Sequence, residues 1–115
     1  MKISEIKFQI ELDEQNLPKT IQWDATDKES EGLESTKSIN VNVWDNLNHA
    51  TLRIDLWTEE MSVVEMKRFY IDILGGMAQT ILNSTGDEFM AEEIKELCDR
   101  LVLHVNEENK KKLLT

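Results

Sequence analysis

The chain has few of the residues that cross-link, kink or interrupt a fold. Of its 115 residues, one is cysteine, one is proline and four are glycine. The single cysteine, Cys98, excludes an intramolecular disulfide and makes a reducing compartment the simpler expectation. A chain of this length should bury roughly two thirds of its unfolded surface on folding, so it needs neither a disulfide nor a metal to be stable.

Positive charge is also scarce. The chain has 13 lysine and arginine residues against 23 acidic residues, which gives a formal net charge of −10. A field of this sign repels phosphate groups, so neither nucleic acid nor an anionic membrane surface is an expected partner. The basic cluster at 110–112 lies close to the end of the sequence and is interpreted as part of a solubilising tail.

Long apolar runs are missing. None approaches the ~20 residues that a membrane-spanning helix needs. Residues 1–13 alternate between apolar and polar side chains, whereas a signal peptide would show a continuous apolar segment. We therefore expect a cytoplasmic protein without direct membrane insertion.

Residues that carry catalysis are few. The chain has two histidines. His49 is predicted at a turn and His104 near a helix end, and neither pattern places a nucleophile beside the imidazole. Cys98 falls on an apolar helical stripe, which indicates a packed thiol. With no metal-ligand spacing and no phosphate-binding loop, the sequence predicts a non-enzyme with no catalytic residues, no cofactor and no metal.

What the chain does contain is a change of period within residues 51–70. Leu52, Ile54 and Leu56 alternate with polar residues, which is typical of a strand with one apolar face. Ser62 and Glu65 then match a capping box, and the apolar spacing becomes helical. The residues before this junction indicate strands, and those after it indicate helices.

Three further alternating segments precede this junction, at about 6–12, 21–26 and 38–44. Pairing Ile10 with Trp23, and Val41 with Leu52, keeps the apolar faces together. The sequence thus predicts an α+β fold with a four-stranded, mostly antiparallel sheet in meander order. The charged stretch at 27–37 is interpreted as a mobile, solvated loop.

Two helices are predicted after the strands, at about 63–83 and from about 88 to 105. Because their link is short, they should form an antiparallel pair, packed on one face of the sheet. Gly75 and Gly76 lie inside the first helix and indicate either a close approach of another element or a kink that shapes a ligand groove. We predict one domain, 1–106, followed by a flexible charged tail, 107–115.

Tryptophan placement gives a candidate surface. Trp44 and Trp57 fall on the polar phase of their strands, and Arg53 and Asp55 share the face of Trp57. The two indoles either pack under the long loop or the tail, or they form a protein-binding patch. The candidate protein-binding surface is Trp44, Arg53, Asp55 and Trp57.

A resemblance to a known family rests on LRIDLWT at 52–58 and EMSVVEMKRFY at 60–70. These segments resemble the gliding motility-associated GldC family of the Bacteroidetes. The hairpin MKISEIKFQIELDEQNLPKTIQWDATD and the helical segment ILGGMAQTILNSTGDEFMAEEIKELCD extend the similarity to about residues 1–105. The resemblance implies a soluble accessory factor without known enzyme activity or cofactor, and it supplies no site residues.

The expected function is therefore that of a non-enzymatic accessory or adaptor protein of the gliding motility apparatus. It would act through protein–protein interaction, with other motility or secretion components as partners. Self-association through an edge strand or through the tryptophan-bearing face is a further option. The alternative is a small-ligand-binding domain with a pocket between the helices and the sheet.

Overall fold

The computed structural model describes residues 1–114, which form two compact units. The first, Met1–Met61, contains only strands, and the second, which begins at Ser62, contains only helices. The elements in chain order are β1 (Ile6–Leu12), β2 (Pro18–Ala25), β3 (Glu34–Thr36), β4 (Ser38–Asp45), β5 (Ala50–Trp57), α1 (Val63–Thr85) and α2 (Glu88–Leu114). The predicted α+β class is confirmed.

The first sheet has the order β1-β2-β3, and both of its strand pairs are antiparallel. Trp23 lies opposite Phe8, so the predicted pairing of Trp23 with Ile10 was wrong by two residues. The turn sets this register, because the Asp13 carboxylate accepts hydrogen bonds from the N–H groups of Gln15 and Leu17 at 2.8 and 3.0 Å. A shift of two residues leaves every side chain on its predicted face.

Strand β3 lies inside the segment predicted to be a loop. It pairs with β2, with Glu34 opposite Trp23. Lys28 holds the preceding chain in place: its Nζ lies 3.7 Å from Asp24 and 3.4 Å from Glu34, and it donates a hydrogen bond to the carbonyl of Gly32. The loop is therefore shorter than predicted and is anchored by a lysine side chain that is 7% exposed.

The predicted single four-stranded sheet is wrong, because β4 and β5 form a separate two-stranded sheet. After β3 the chain bends at Lys37 and continues as β4, which pairs only with β5. The register again differs by two residues from the predicted one, with Val41 opposite Ile54. The core of this unit is small and contains Ile21 and Ile39, which are 1% and 8% exposed.

The second unit is an antiparallel helix pair, as predicted. Its capping box is present: Ser62 Oγ accepts from the N–H of Glu65 at 3.1 Å, and Glu65 Oε1 accepts from the N–H of Ser62 at 3.3 Å. Lys67 in α1 contacts Glu108 in α2 at 2.8 Å, far from the connection that joins the two helices. That contact between residues remote in sequence shows that the helices run in opposite directions.

Helix α2 continues to Leu114 and does not end near Val105 as predicted. The ion pair between Lys67 and Glu108 ties the extended part of α2 to α1. Lys111 and Lys112 lie in the last turn of α2, where positive charges stabilise a helix by interacting with the negative end of its dipole. The single domain 1–106, the flexibility of 107–115 and the packing of the helix pair on a sheet stay predictions.

Candidate protein-binding surface

The β4–β5 hairpin places the four candidate residues on one face. In an antiparallel ladder, residues directly opposite each other project from the same side. The residues of this side, which we call the tryptophan face, are Ser38, Asn40, Asn42 and Trp44 on β4 and Thr51, Arg53, Asp55 and Trp57 on β5. The face assigned from the sequence is therefore the face that the backbone pairing produces.

The two tryptophans lie at opposite ends of this face. Trp57 is paired with Ser38, whereas Trp44 is six residues further along β4 and is paired with Thr51. At about 3.4 Å per residue, the two positions are separated by about 20 Å. Trp44 is 59% exposed and its ring centroid lies 6.4 Å from that of His49 at the turn. The structure thus provides two separate aromatic positions and does not form one aromatic cluster.

Between the tryptophans lies a polar network centred on Asp55. Arg53 Nη2 donates to Asp55 Oδ2 at 3.0 Å, and Asn40 Nδ2 donates to Asp55 Oδ1. Asn42 Nδ2 donates in turn to Asn40 Oδ1 at 2.7 Å. The hydrogen bond from Arg53, with a further contribution from Asn40, lowers the pKa of Asp55, whereas partial burial opposes that shift. Asp55 is therefore a carboxylate at neutral pH and is held by donors on two strands.

Sequence reasoning found Arg53 and Asp55 but missed Asn40 and Asn42. The sequence contained a signal for both, because Asn40 and Asn42 fall on the same face of β4 as Trp44. A side-chain amide there can donate and accept hydrogen bonds at the same time, so it can link other polar side chains of that face. Their role follows from the register, which puts Asn40 directly opposite Asp55. The network fixes the middle of the tryptophan face and links its two strands.

An apolar groove borders the tryptophan face at the Trp57 end. Its volume is about 250 Å³, and it is lined by Leu17, Pro18, Asp55, Leu56, Trp57 and Glu59. Leu17 comes from the turn between β1 and β2, and Pro18 is the first residue of β2, so this groove joins two parts of the first unit. Sequence reasoning missed both residues, since nothing in a linear pattern places that turn beside β5. The groove makes the Trp57 end the better-formed half of the candidate surface.

The helical unit has grooves of its own between α1 and α2. One groove, of about 300 Å³, is almost entirely apolar, and its lining includes Met66, Tyr70, Leu74 and Leu101. None of the four candidate residues lies in this unit. A close approach of another element at Gly75 or Gly76 is not seen, because a Cβ at either position would meet no atom outside its own stretch of helix within 4 Å; both glycines lie inside α1. The ligand pocket between the helices and the sheet stays a prediction.

Histidine, cysteine and acidic side chains are the groups that could hold a metal ion within residues 1–114. No group of three or more histidine, cysteine or acidic side chains lies close enough to hold a metal ion there. Cys98 is half-buried, with Sγ 3.9 Å from the carbonyl oxygen of Ile71, and His104 Nε2 lies 3.2 Å from Glu108 Oε1. In the same part of the chain, neither helix combines the length and the apolar character needed to cross a membrane.

These features define a small α+β protein whose best-formed candidate site is a surface of exposed indoles around an ordered ion pair. A comparison with protein families identifies the family: the model of the gliding motility-associated protein GldC-like family matches residues 18–107. The chain belongs to this GldC-like family, as the resemblance of its sequence implied. The family is associated with gliding motility and is not a known family of enzymes. No curated protein and no solved structure matches the chain.

Proposed function

We propose that the protein is a non-enzymatic adaptor of the gliding motility apparatus, which works in the cytoplasm by binding another protein of that apparatus or of the associated secretion machinery. The observation that carries the proposal is Trp57, an indole that is 54% exposed beside an apolar groove. Family membership supports the association with motility.

Trp57 has the setting of an interface anchor. Tryptophan and arginine are enriched among the residues that contribute most to binding, usually where they are surrounded by less important contacts that exclude water. Arg53 is on the same face and is 3.0 Å from Asp55. Because Asp55 is already oriented by Arg53 and Asn40, its geometry is set before a partner arrives, which reduces the entropy lost on binding.

The same groove indicates the chemistry of the partner segment. Its apolar lining suits an aliphatic or aromatic side chain, and the carboxylates of Asp55 and Glu59 border it. The whole chain carries a net charge of −10, which would accelerate the approach of a basic segment. The partner segment we propose is therefore an apolar residue flanked by lysine or arginine.

The test is crosslinking in native cells followed by identification of the proteins that co-purify with a tagged chain. Trp57→Ala should reduce the capture of motility or secretion components at least several-fold and leave the circular dichroism spectrum and melting temperature near those of the wild type. Leu47→Ala is the matched control, because Leu47 is a 90% exposed apolar residue at the turn of the same hairpin. Equal capture by wild type and Trp57→Ala would refute the proposed surface.

Trp44→Ala measures how far the surface extends. If a partner covers the whole tryptophan face, this substitution should also reduce capture, because Trp44 is about 20 Å from Trp57 along the hairpin. If only the groove end is used, Trp44→Ala should behave like Leu47→Ala. The comparison distinguishes binding at the groove from binding along the hairpin.

A further inference from the structure

Strand β1 presents an exposed edge. It pairs with β2 on one side, and no other described strand pairs with it. It is seven residues long and its apolar side chains are poorly covered: Ile6 is 72% exposed and Leu12 is 50% exposed. A long apolar edge strand is a template for pairing with another strand unless something blocks it, and the sequence of β1 contains no proline.

The backbone hydrogen bonds show which groups are unpaired. The N–H of Thr26 donates to the carbonyl of Glu5 at 3.0 Å, so these two residues form a hydrogen-bonded pair. In an antiparallel ladder such pairs alternate, which directs the backbone groups of Lys7, Gln9 and Glu11 toward β2 as well. The residues whose N–H and C=O groups point away from β2 by this alternation are Ile6, Phe8 and Ile10. The register is irregular between Glu11 and Leu12, but the N–H of Asp13 donates to the carbonyl of Leu17 at 2.8 Å, so the groups of Leu12 point away from β2 as well.

We propose that the occupant of this edge is β1 of a second copy of the chain, antiparallel to the first and centred on Gln9. In this register Lys7 lies opposite Glu11 of the partner subunit, and Glu11 lies opposite Lys7 of the partner subunit. Gln9 faces Gln9 of the partner subunit across a two-fold axis, as a self-complementary interface requires. These pairs are the ones without mutual backbone hydrogen bonds, in which side chains lie closest together.

The apolar residues match in the same register. Ile6 lies opposite Leu12 of the partner subunit, and Phe8 lies opposite Ile10 of the partner subunit. All four have outward-pointing backbone groups, so the ladder forms about eight hydrogen bonds across the axis. The apolar faces of the two first sheets become continuous, and the result is one six-stranded sheet with the order β3-β2-β1-β1-β2-β3.

Neighbouring registers fit less well. A shift of one residue would set the apolar face of one copy against the polar face of the other. A shift of two residues in one direction brings Glu5 opposite Glu11 of the partner subunit and Lys7 opposite Gln9 of the partner subunit, so both ion pairs between Lys7 and Glu11 are lost. The opposite shift brings Lys7 opposite Asp13 of the partner subunit, but the Asp13 carboxylate already accepts two backbone hydrogen bonds and Ile6 is left without a partner strand.

Charge identifies a second copy as the occupant. The chain as a whole carries a net charge of −10, whereas β1 contains one lysine and one glutamate and is locally neutral. Two copies can therefore approach along β1 itself without local repulsion. Glu5 lies opposite Asp13 of the partner subunit just outside the strand, where the Asp13 carboxylate is turned toward the N–H groups of its own turn. Glu11 also lies 3.6 Å from Lys19 of its own sheet, but both side chains are more than 60% exposed, so Glu11 remains accessible to Lys7 of the partner subunit.

The test uses charge exchange in the full chain, measured by sedimentation equilibrium over a concentration series. The wild type should show a reversible monomer–dimer equilibrium. Lys7→Glu and Glu11→Lys should each weaken the dimer at least tenfold, because each sets like charges opposite one another twice. An equimolar mixture of the two single variants, and the double variant with both exchanges, should restore dimer formation to near the wild-type level.

Glu11→Lys separates the proposed register from a general effect of charge. This substitution makes the net charge less negative, so a model based on overall repulsion predicts tighter association, whereas the register predicts weaker association. Circular dichroism shows whether each variant is folded, and the mixture supplies a second measurement if either single variant has lost stability. A wild type that stays monomeric, or single variants that dimerise as well as the wild type, would overturn the proposal.

Discussion

Lys28 is a charged side chain whose replacement should perturb the first unit. Its Nζ lies 5.2 Å from the ring centroid of Trp23 and within 4 Å of carboxylate oxygens of Asp24 and Glu34. It also donates to the carbonyl of Gly32, which holds the loop before β3. Lys28→Met keeps the length and the apolar stem of the side chain but removes the cation.

The size of the effect follows from these contacts. A hydrogen bond from a charged donor contributes about 1.5–3 kcal/mol. A cation over an indole contributes about 0.5–2 kcal/mol. Each ion pair contributes less than about 1 kcal/mol, because the side chains of Asp24 and Glu34 are both 41% exposed. Ordering a lysine side chain costs up to about 2 kcal/mol, so the net loss of unfolding free energy expected for Lys28→Met is about 2 kcal/mol.

Urea denaturation followed by tryptophan fluorescence and circular dichroism measures this loss. Lys28→Arg is the matched control, because it keeps a cation that can stack on Trp23, and its loss should be clearly smaller. Most substitutions at exposed sites change the unfolding free energy by less than about 0.5 kcal/mol. A loss that small for Lys28→Met, or equal losses for the two variants, would refute the reasoning.

Two further predictions concern the helical unit. Gly75→Ala should raise the unfolding free energy by up to about 1 kcal/mol, because the site is helical and a Cβ there meets no described atom within 4 Å. Gly86→Ala is the contrasting variant and should lower the unfolding free energy by about 1 kcal/mol, because Gly86 has φ 72° at the end of α1. If urea denaturation gave changes of the same sign for the two variants, both expectations would be contradicted. The hydrogen bond from Lys67 lowers the pKa of Glu108 below its usual value of 4.5. The ion pair therefore stabilises the folded state above about pH 4.5, and this stabilisation is lost as the pH falls through the lowered pKa. In circular dichroism melts between pH 7 and pH 3, the melting temperature of Glu108→Gln should therefore fall less with acid than that of the wild type. An equal fall would show that this ion pair does not contribute to the loss of stability in acid.

Several features were predictable because they depend on neighbours in sequence. The alternation around Leu52 and Ile54 gave both the strand and its apolar face, and the capping box of Ser62 and Glu65 gave the first turn of α1. The shared face of Arg53, Asp55 and Trp57 was predictable in the same sense, because a period of two assigns all three to one side of β5. The GldC-like family was also recognised from the sequence, and the family model confirms it.

Other features depend on contacts between distant segments. The segment 34–36 reads as a charged loop, but pairing with β2 and the cation of Lys28 turn it into a strand. The two sheets arise because the chain bends at Lys37, so β3 pairs with β2 and β4 pairs only with β5. The end of α2 was placed too early, and the part that was missed contains Glu108, which pairs with Lys67 on the other helix.

The sequence by itself determined the periods of the elements, the faces of the strands and the family, since each depends on the order of side chains along the chain. The tertiary structure alone decided the strand registers, the division into two sheets and the groove in which Leu17 meets Trp57. The physical reason is that a shift of two residues preserves every strand face, so alternation cannot choose among such registers. Turn geometry, such as the Asp13 hydrogen bonds, makes that choice, and contacts between distant segments then determine which surfaces become sites.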